Sequence, residues 1–185
     1  MNQNVIENAT IIELFKEKLP FSKLEFRYFT KEHYVVNILC RKDGWEIKLT
    51  LEELPNLMEK RFEGGLFQDF VDEPRVFAAE LEGRQVGWIE QGFHKWNSRM
   101  RIWELLVKEE FRRKGVGTLL VNHAVELSKE REARMLVVET QSCNVPAINF
   151  YRENGFELIG FDAAAYSNQD METKEVRLEF GLKIK

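Results

Sequence analysis

Cysteine is scarce in this chain: Cys40 and Cys143 are the only two among 185 residues. They stand far apart in the sequence, which suits free thiols in a reducing compartment better than a disulfide framework. Histidine is scarce as well. His33, His94 and His123 do not cluster, and no Cys/His spacing resembles a metal site, so no metal is expected. The four prolines and eleven glycines gather into no linker, and no repeat or low-complexity tract interrupts the chain. Nothing marks a domain boundary, and this length suits a single domain with a proper core. No apolar run is long enough to cross a bilayer, and MNQNVIENAT lacks a charged-then-apolar export signal. A cytoplasmic protein without a membrane partner is expected. Positive charge is not in excess either: 27 Lys and Arg stand against 31 Asp and Glu, a net charge of −4. That balance argues against nucleic acid as a partner, since phosphate binding needs a basic surface. It gives a weak preference for a cationic substrate.

What is present reads as alternating strands and helices. Val5 to Lys18 has Ile6, Ile11, Leu14 and Phe15 near helical spacing and predicts a helix ending before Pro20. Two strand-like runs, His33 to Cys40 and Trp45 to Leu51, flank Asp43-Gly44, a hairpin signal. Glu52 to Phe62 reads as a second helix, closed by Gly64-Gly65. Val76–Leu81 and Gln85–Ile89 form a second hairpin turning at Glu82-Gly83-Arg84, and Arg101 to Val107 is a further apolar strand. Gly115 to Glu130 has an amphipathic helical pattern, followed by a β-branched strand from Met135 to Thr140. Pro146 to Asn154 is a helix with proline in its first turn and Gly155 placed as a left-handed terminator. Phe156–Phe161 and Glu175–Leu182 finish as strands. Hairpins followed by strand-helix-strand-helix-strand describe a mixed α/β sheet with helices packed against it.

The densest chemistry lies between Leu105 and Thr118. An apolar strand leads into Lys108-Glu109-Glu110-Phe111-Arg112-Arg113-Lys114, and Gly115-Val116-Gly117-Thr118 opens a helix. Glycines let backbone N–H groups approach a ligand closely, and a helix N-terminus favours an anion. Arg112, Arg113 and Lys114 add positive charge beside those donors. The bland reading is a solvated basic turn, which a lone Gly-x-Gly would favour. A nicotinamide-type loop fails because Leu120 occupies the third glycine position and four residues separate strand from Gly115. A P-loop fails because no Lys-Ser/Thr pair follows Gly117.

A second pattern decides. Arg112-x-x-Gly115-x-Gly117 resembles the coenzyme A pyrophosphate loop of the GNAT acetyltransferase superfamily. Asn144-x-x-Ala147-x-x-Phe150-Tyr151-x-x-x-Gly155-Phe156 resembles that family's second signature, separated from the first by a helix and a strand as the family order requires. The resemblance spans roughly residues 75 to 185; residues 1 to 74 are expected to form a variable acceptor-side part. It implies a central mixed, mostly antiparallel sheet flanked by helices. It also implies an N-acetyltransferase that uses acetyl-CoA as cosubstrate and a small-molecule primary amine as acceptor. Trp96-Asn97, Glu139-Thr140-Gln141, Asn144, Phe150-Tyr151, Tyr166 and Asn168 look like streptothricin acetyltransferases, although their acidic run before the hairpin appears here only as Asp69, Asp72 and Glu73.

The resemblance implies roles residue by residue. Arg112, Arg113, Lys114, Gly115, Val116, Gly117 and Thr118 would hold the pyrophosphate, while Leu106 and Val107 would offer backbone to pantetheine and an oxyanion. Asn144, Ile148 and Tyr151 follow i, i+4, i+7 spacing on one helix face. There Asn144 would touch pantetheine amides and Tyr151 would protonate the departing thiolate; the alternative for Tyr151 is a core aromatic. An alkylammonium has a pKa of about 10.4, so a base is needed. Glu139 is the first candidate and Glu104 the second, each with an exposed ion pair as its alternative. Cys143 lacks an adjacent activator, which favours direct attack by the amine over an acetyl-cysteine. Trp88, Trp96, Phe67 and Phe70 are candidates to line an acceptor pocket or the core. Two other functions stay open: acetylation of protein or peptide amines, and coenzyme A sensing without catalysis. Edge strands near the C-terminus suggest a homodimer.

Overall fold

Turn chemistry and one crossover helix organise the chain. The structure, a computed structural model, describes residues 8–19 and 23–185. They fall into two compact units: residues up to Phe26 with Phe62–Val138 and Gly181–Lys185, and Arg27–Arg61 with Glu139–Phe180. Two long strands, β2 (Lys23–Arg41) and β3 (Gly44–Gly65), pair with each other around Lys42-Asp43. The Asp43-Gly44 hairpin is therefore present, with arms far longer than its apolar runs suggested.

The first unit contains β1 (Thr10–Leu14), β4 (Arg75–Leu81), β5 (Arg84–His94), β6 (Arg99–Val107) and the start of β7 (Met135–Gln141). They are ordered β1-β4-β5-β6-β7. Between β4 and β5 the register closes at Leu81 opposite Arg84. Glu82 and Gly83 both have positive φ, +50° and +74°, as a two-residue turn matched to strand twist requires. β6 and β7 pair in parallel from Arg99 opposite Met135 to Ile102 opposite Val138. A parallel pair needs a crossover, which α1 (Val116–Glu130) supplies. Its buried residues Val116, Leu120, Val121, Ala124 and Leu127 lie at helical spacing. Gly87 of β5 lies beneath them: a Cβ there would stand 3.2 Å from Leu120 and 3.3 Å from Val116. On the face bearing Trp88, the core joins Leu24, Leu66, Val76, Ala78, Trp88 and Leu106.

Two expected helices are strands. Residues 10–14 of the Val5–Lys18 segment form β1, antiparallel to β4 from Thr10 opposite Glu80 to Leu14 opposite Val76. A 3₁₀ turn follows at Lys16–Lys18, and residues 5–7 lie outside the described residues. Glu52–Phe62 lies inside β3. Both segments carry helix-compatible residues, but an available strand partner outweighs that weak preference.

The second unit holds the arms of β2 and β3, the end of β7, α2 (Val145–Glu153), β8 (Glu157–Asp162), α3 (Asp170–Thr173) and most of β9 (Arg177–Lys183). Its sheet order is β7-β9-β8. Ser142 links these pieces: its N–H donates to Val176 O at 2.8 Å and its carbonyl accepts from the Tyr34 N–H at 2.9 Å. Among the described residues no helix is long and apolar enough to cross a membrane.

Gly92 of β5 is a close-approach position, since a Cβ there would lie 2.6 Å from the Asp72 carbonyl. Gly160 is open by comparison, with its nearest neighbour at 4.0 Å. Gly92→Ala should therefore cost about 1–3 kcal/mol of unfolding free energy, and Gly160→Ala within about 0.5 kcal/mol. Urea denaturation of the two variants measures the contrast.

Candidate active site

In the first unit, the sequence from β6 to α1 builds an anion seat. Val107 ends β6, and its carbonyl accepts from Arg112 Nε at 3.0 Å, which ties the basic turn back to the strand. A 3₁₀ turn at Glu109–Phe111 intervenes, with Lys114 Nζ 5.4 Å from the Phe111 ring centroid. Arg113 and Gly115 both take left-handed conformations, at φ +58° and +84°. Gly115 is the N-cap of α1, no side chain caps that end, and its first turn carries no acidic residue. The first N–H groups of a helix have no intrahelical partner, so those of the first turn are donors in need of one. Val116 is buried, so its N–H, not its side chain, is what a ligand would meet. Gly117 is half-buried and Thr118 exposed. Leu106 is buried in the core with its backbone opposite Trp88, and Val107 stands opposite Gly87.

The Trp88 face of the same sheet carries carboxylates. Glu104 of β6 stands directly opposite Glu90 of β5, and the register then shifts so that Gln91 meets Ile102. Trp103 is the extra residue of that bulge. Phe70 stacks edge-on against Trp103 at 5.3 Å, and Arg101 lies 4.7 Å over it. Glu90 is fully buried and accepts from the Phe67 N–H at 2.8 Å. Half-buried Glu104 accepts from Gln68 Nε2 at 3.2 Å and from the Gly65 N–H at 3.4 Å. Burial pushes both carboxyls up to about 7, against the opposing pull of the Phe67 and Gly65 N–H groups, and the charge of Glu90 adds to the rise at Glu104. Of the four expected aromatics, Trp88 is core, Phe67 packs against that core, and Phe70 and Trp96 are exposed.

In the second unit, Asn144 is the N-cap of α2, its Oδ1 accepting from the Ala147 N–H at 3.3 Å. Pro146 occupies the first turn, and Gly155 at φ +84° ends the helix as expected. Tyr151 is buried, with ring centroids of Phe150, Phe156 and Phe180 at 5.4, 5.7 and 6.5 Å. Glu139 is engaged: Arg177 Nη1 stands 3.5 Å away and the Tyr166 hydroxyl donates to it at 3.3 Å. Burial foremost pushes the Tyr166 phenol up, with the Glu139 charge adding to it. Cys143 is fully buried at 3.3 Å from the Tyr28 hydroxyl, and burial pushes its thiol up, the opposite of an activated nucleophile.

A profile of the acetyltransferase (GNAT) family matches residues 25–156. The chain belongs to that family. Streptothricin acetyltransferase of Streptomyces lavendulae is 34% identical over 104 residues, 56% of this chain and 55% of that protein. This chain thus spans little more than half of that relative's length. Streptothricin acetyltransferase A of Bacillus subtilis is 31% identical over 121 residues, 60% of this chain and 69% of that protein. Among solved structures, a nourseothricin acetyltransferase superimposes with a TM-score of 0.76 at 25% identity, covering 96% of this chain and 99% of that one. A Bacillus anthracis structure, assigned as a streptothricin acetyltransferase and solved with acetyl coenzyme A, also gives 0.76, at 26% identity, with 96% and 98% covered.

For a GNAT chain, the uncapped start of α1 fits a pyrophosphate: open N–H donors, cationic neighbours and no acid in the first turn. Glu90 is a buried carboxylate of this face that motif reading did not single out. Its signal is two-residue spacing from Trp88 within an apolar strand, which places a carboxylate on a core face. Because both carboxyls rise from the ordinary 4.5 to about 7, the stability they confer is full below pH 4.5 and is lost as pH rises through about 7. The double variant E90Q/E104Q should flatten that decline in unfolding free energy; an unchanged slope would place both groups in the ordinary range. Separately, a thiol reagent should modify exposed Cys40 quickly and Cys143 only in denaturant. Fast labelling of both would show Cys143 to be accessible.

Proposed function

We propose that this GNAT chain transfers the acetyl group of acetyl-CoA to a primary amine of a small molecule, of the class that streptothricin acetyltransferases modify. The observation carrying the cosubstrate reading is the basic turn running into left-handed Gly115 and an uncapped helix. The acceptor class is supported by superposition over 96% of the chain on a nourseothricin acetyltransferase.

Acetyl-CoA supplies a thioester whose acyl carbon is open to an amine. Arg112, Arg113, Lys114 and the N–H groups of Gly115 to Thr118 hold its pyrophosphate, and the backbone at Leu106 and Val107 serves pantetheine and the oxyanion. Asn144 presents its Nδ2 to a pantetheine amide, since its Oδ1 is occupied as a helix cap. Tyr151 protonates the departing sulfur. Glu104 is a better base than Glu139: no cation pairs with it among the described residues, whereas Arg177 holds Glu139. Its raised pKa also matches a base working near neutrality.

Tyr151→Phe should lower kcat by about 10²-fold or more, the usual worth of a general acid, with acetyl-CoA affinity nearly intact. Arg112→Ala should instead weaken acetyl-CoA binding measured by calorimetry. Full turnover in the first variant, or unchanged affinity in the second, removes that residue from its role. Thiol release from acetyl-CoA, screened against streptothricin, polyamines, aminoglycosides and lysine peptides, tests the acceptor. Release with streptothricin supports the proposal, and release with peptides alone overturns the small-molecule class. Binding of acetyl-CoA without release to any amine would point to a sensor.

A further inference from the structure

At the end of α1 remote from Gly115 lies a cavity of about 190 Å³, wholly within the first unit. Gly87 of β5 packs under α1, and strand alternation puts Gln91 and Phe93 on that same side. Met100 of β6 stands opposite Phe93. Phe93 with buried Met100 and Leu127 makes the apolar part of the lining, and Glu73, Arg75 and Arg131 the charged part. Arg75 lies 5.2 Å over the Phe77 ring and Arg131 5.3 Å over that of Phe93. Each guanidinium spends one nitrogen on a carboxylate: Arg75 Nε on Glu13, and Arg131 Nη2 on Glu73, which also meets Lys95. A guanidinium carries five N–H donors, so the other edges of both remain for a ligand. Arg75, Lys95 and Arg131 thus outnumber Glu13 and Glu73; Glu130, one residue before Arg131, is exposed and screened by solvent. Gln91 adds a second observation. It is 0% exposed, stands directly opposite Arg75 in the ladder, and neither Oε1 nor Nε2 has a partner among the described residues. On the same side His123 packs edge-on to Phe77 at 4.2 Å, its buried Nε2 likewise without a partner among the described residues. Leaving a buried amide bare is costly, so a polar guest beside it is favoured.

We infer that this cavity is a second ligand site, for a small carboxylate with a compact apolar body. The site does not depend on the acetyl-transfer reading and lies at the opposite end of α1 from the pyrophosphate seat. Volume sets the body. An apolar cavity of about 150 Å³ takes a benzene ring, so this one takes a single ring with its carboxylate. Coenzyme A is far too large for it. Charge sets the head group. A carboxylate accepts paired N–H bonds from a guanidinium, and Arg75 and Arg131 both line the cavity. Gln91 Nε2, opposite Arg75, is a further donor. An ammonium would meet two guanidiniums and Lys95, and a neutral isostere would forgo the charge-assisted bonds.

Benzoate is the probe. Titrated into the full chain at fixed ionic strength, it should shift the Met100 and Leu127 methyl NMR signals saturably, with a Kd of about 1 mM or tighter. Benzamide and benzylammonium should bind at least about 10-fold more weakly, because neither takes the charge-assisted bonds. Arg131→Gln, at an exposed position, should weaken benzoate by about 10-fold or more and leave acetyl-CoA affinity unchanged. If that variant loosens the end of α1, Arg75→Gln replaces it with the same expectation. No shift at Met100 and Leu127 at about ten times that concentration would mean that water alone fills the cavity, and overturns the site. Benzamide binding as tightly as benzoate also overturns it, as does unaltered benzoate affinity in both arginine variants. Shifts confined to the amides of Gly115 to Thr118 would place the anion on the pyrophosphate seat alone and reject the second site.

Discussion

The pairing register of β5 with β6 is the constraint on which the functional face of the first unit depends. Trp88 opposite Leu106 and Gly87 opposite Val107 set which side chains face α1 and which face the Leu24–Leu66 core. A strand alternates its faces residue by residue, so a slip of one would move every side chain to the other side. The extra residue at Trp103 changes that alternation once, between Gln91 opposite Ile102 and Glu90 opposite Glu104. Beyond it, Glu104 faces Glu90 under the segment that begins at Gly65. Without the bulge the two carboxylates would not be directly opposed.

The same sheet separates charge by position. At the end of β6 the chain becomes cationic and turns through left-handed Gly115 into a helix whose dipole adds positive potential. On the Trp88 face, Glu90 and Glu104 have no paired cation among the described residues. A phosphate-bearing ligand and an ammonium-bearing one would therefore meet opposite potentials within the first unit. The net charge of −4 conveys none of this, because it sums the two regions.

Much of this was legible in the sequence where a residue's conformational preference is strong. Asp43-Gly44, Glu82-Gly83 and Gly155 each mark a change of chain direction, and each is found where expected. The Arg112–Thr118 loop was legible because glycine spacing and basic residues act locally. Thr10–Leu14 and Glu52–Phe62 were misread as helices because their strand character comes from partners distant in sequence: β4 for the first and β2 for the second. Glu90 was invisible for a related reason. Its significance lies in what stands across the ladder, and no motif spacing within β5 records that Glu104 is there. The ion pair of Glu139 with Arg177 is likewise a contact across 38 positions, which is why the sequence put Glu139 ahead of Glu104 as a base.

That contrast bears on how the two carboxylates should be weighed. Glu139 has a cation and a phenol to satisfy it. Among the described residues Glu104 has only N–H donors and a like-charged neighbour, so its ionised form is the one that would gain from an arriving cation. A base that must accept a proton from an alkylammonium would benefit from that imbalance, since burial and the Glu90 charge raise its proton affinity. Burial of Glu90 behind it sharpens the effect, because water that would screen the pair is excluded on one side. The arrangement costs folding stability at neutral pH. Such a cost fits a functional surface better than a structural one, as a structural face could carry apolar residues at both positions.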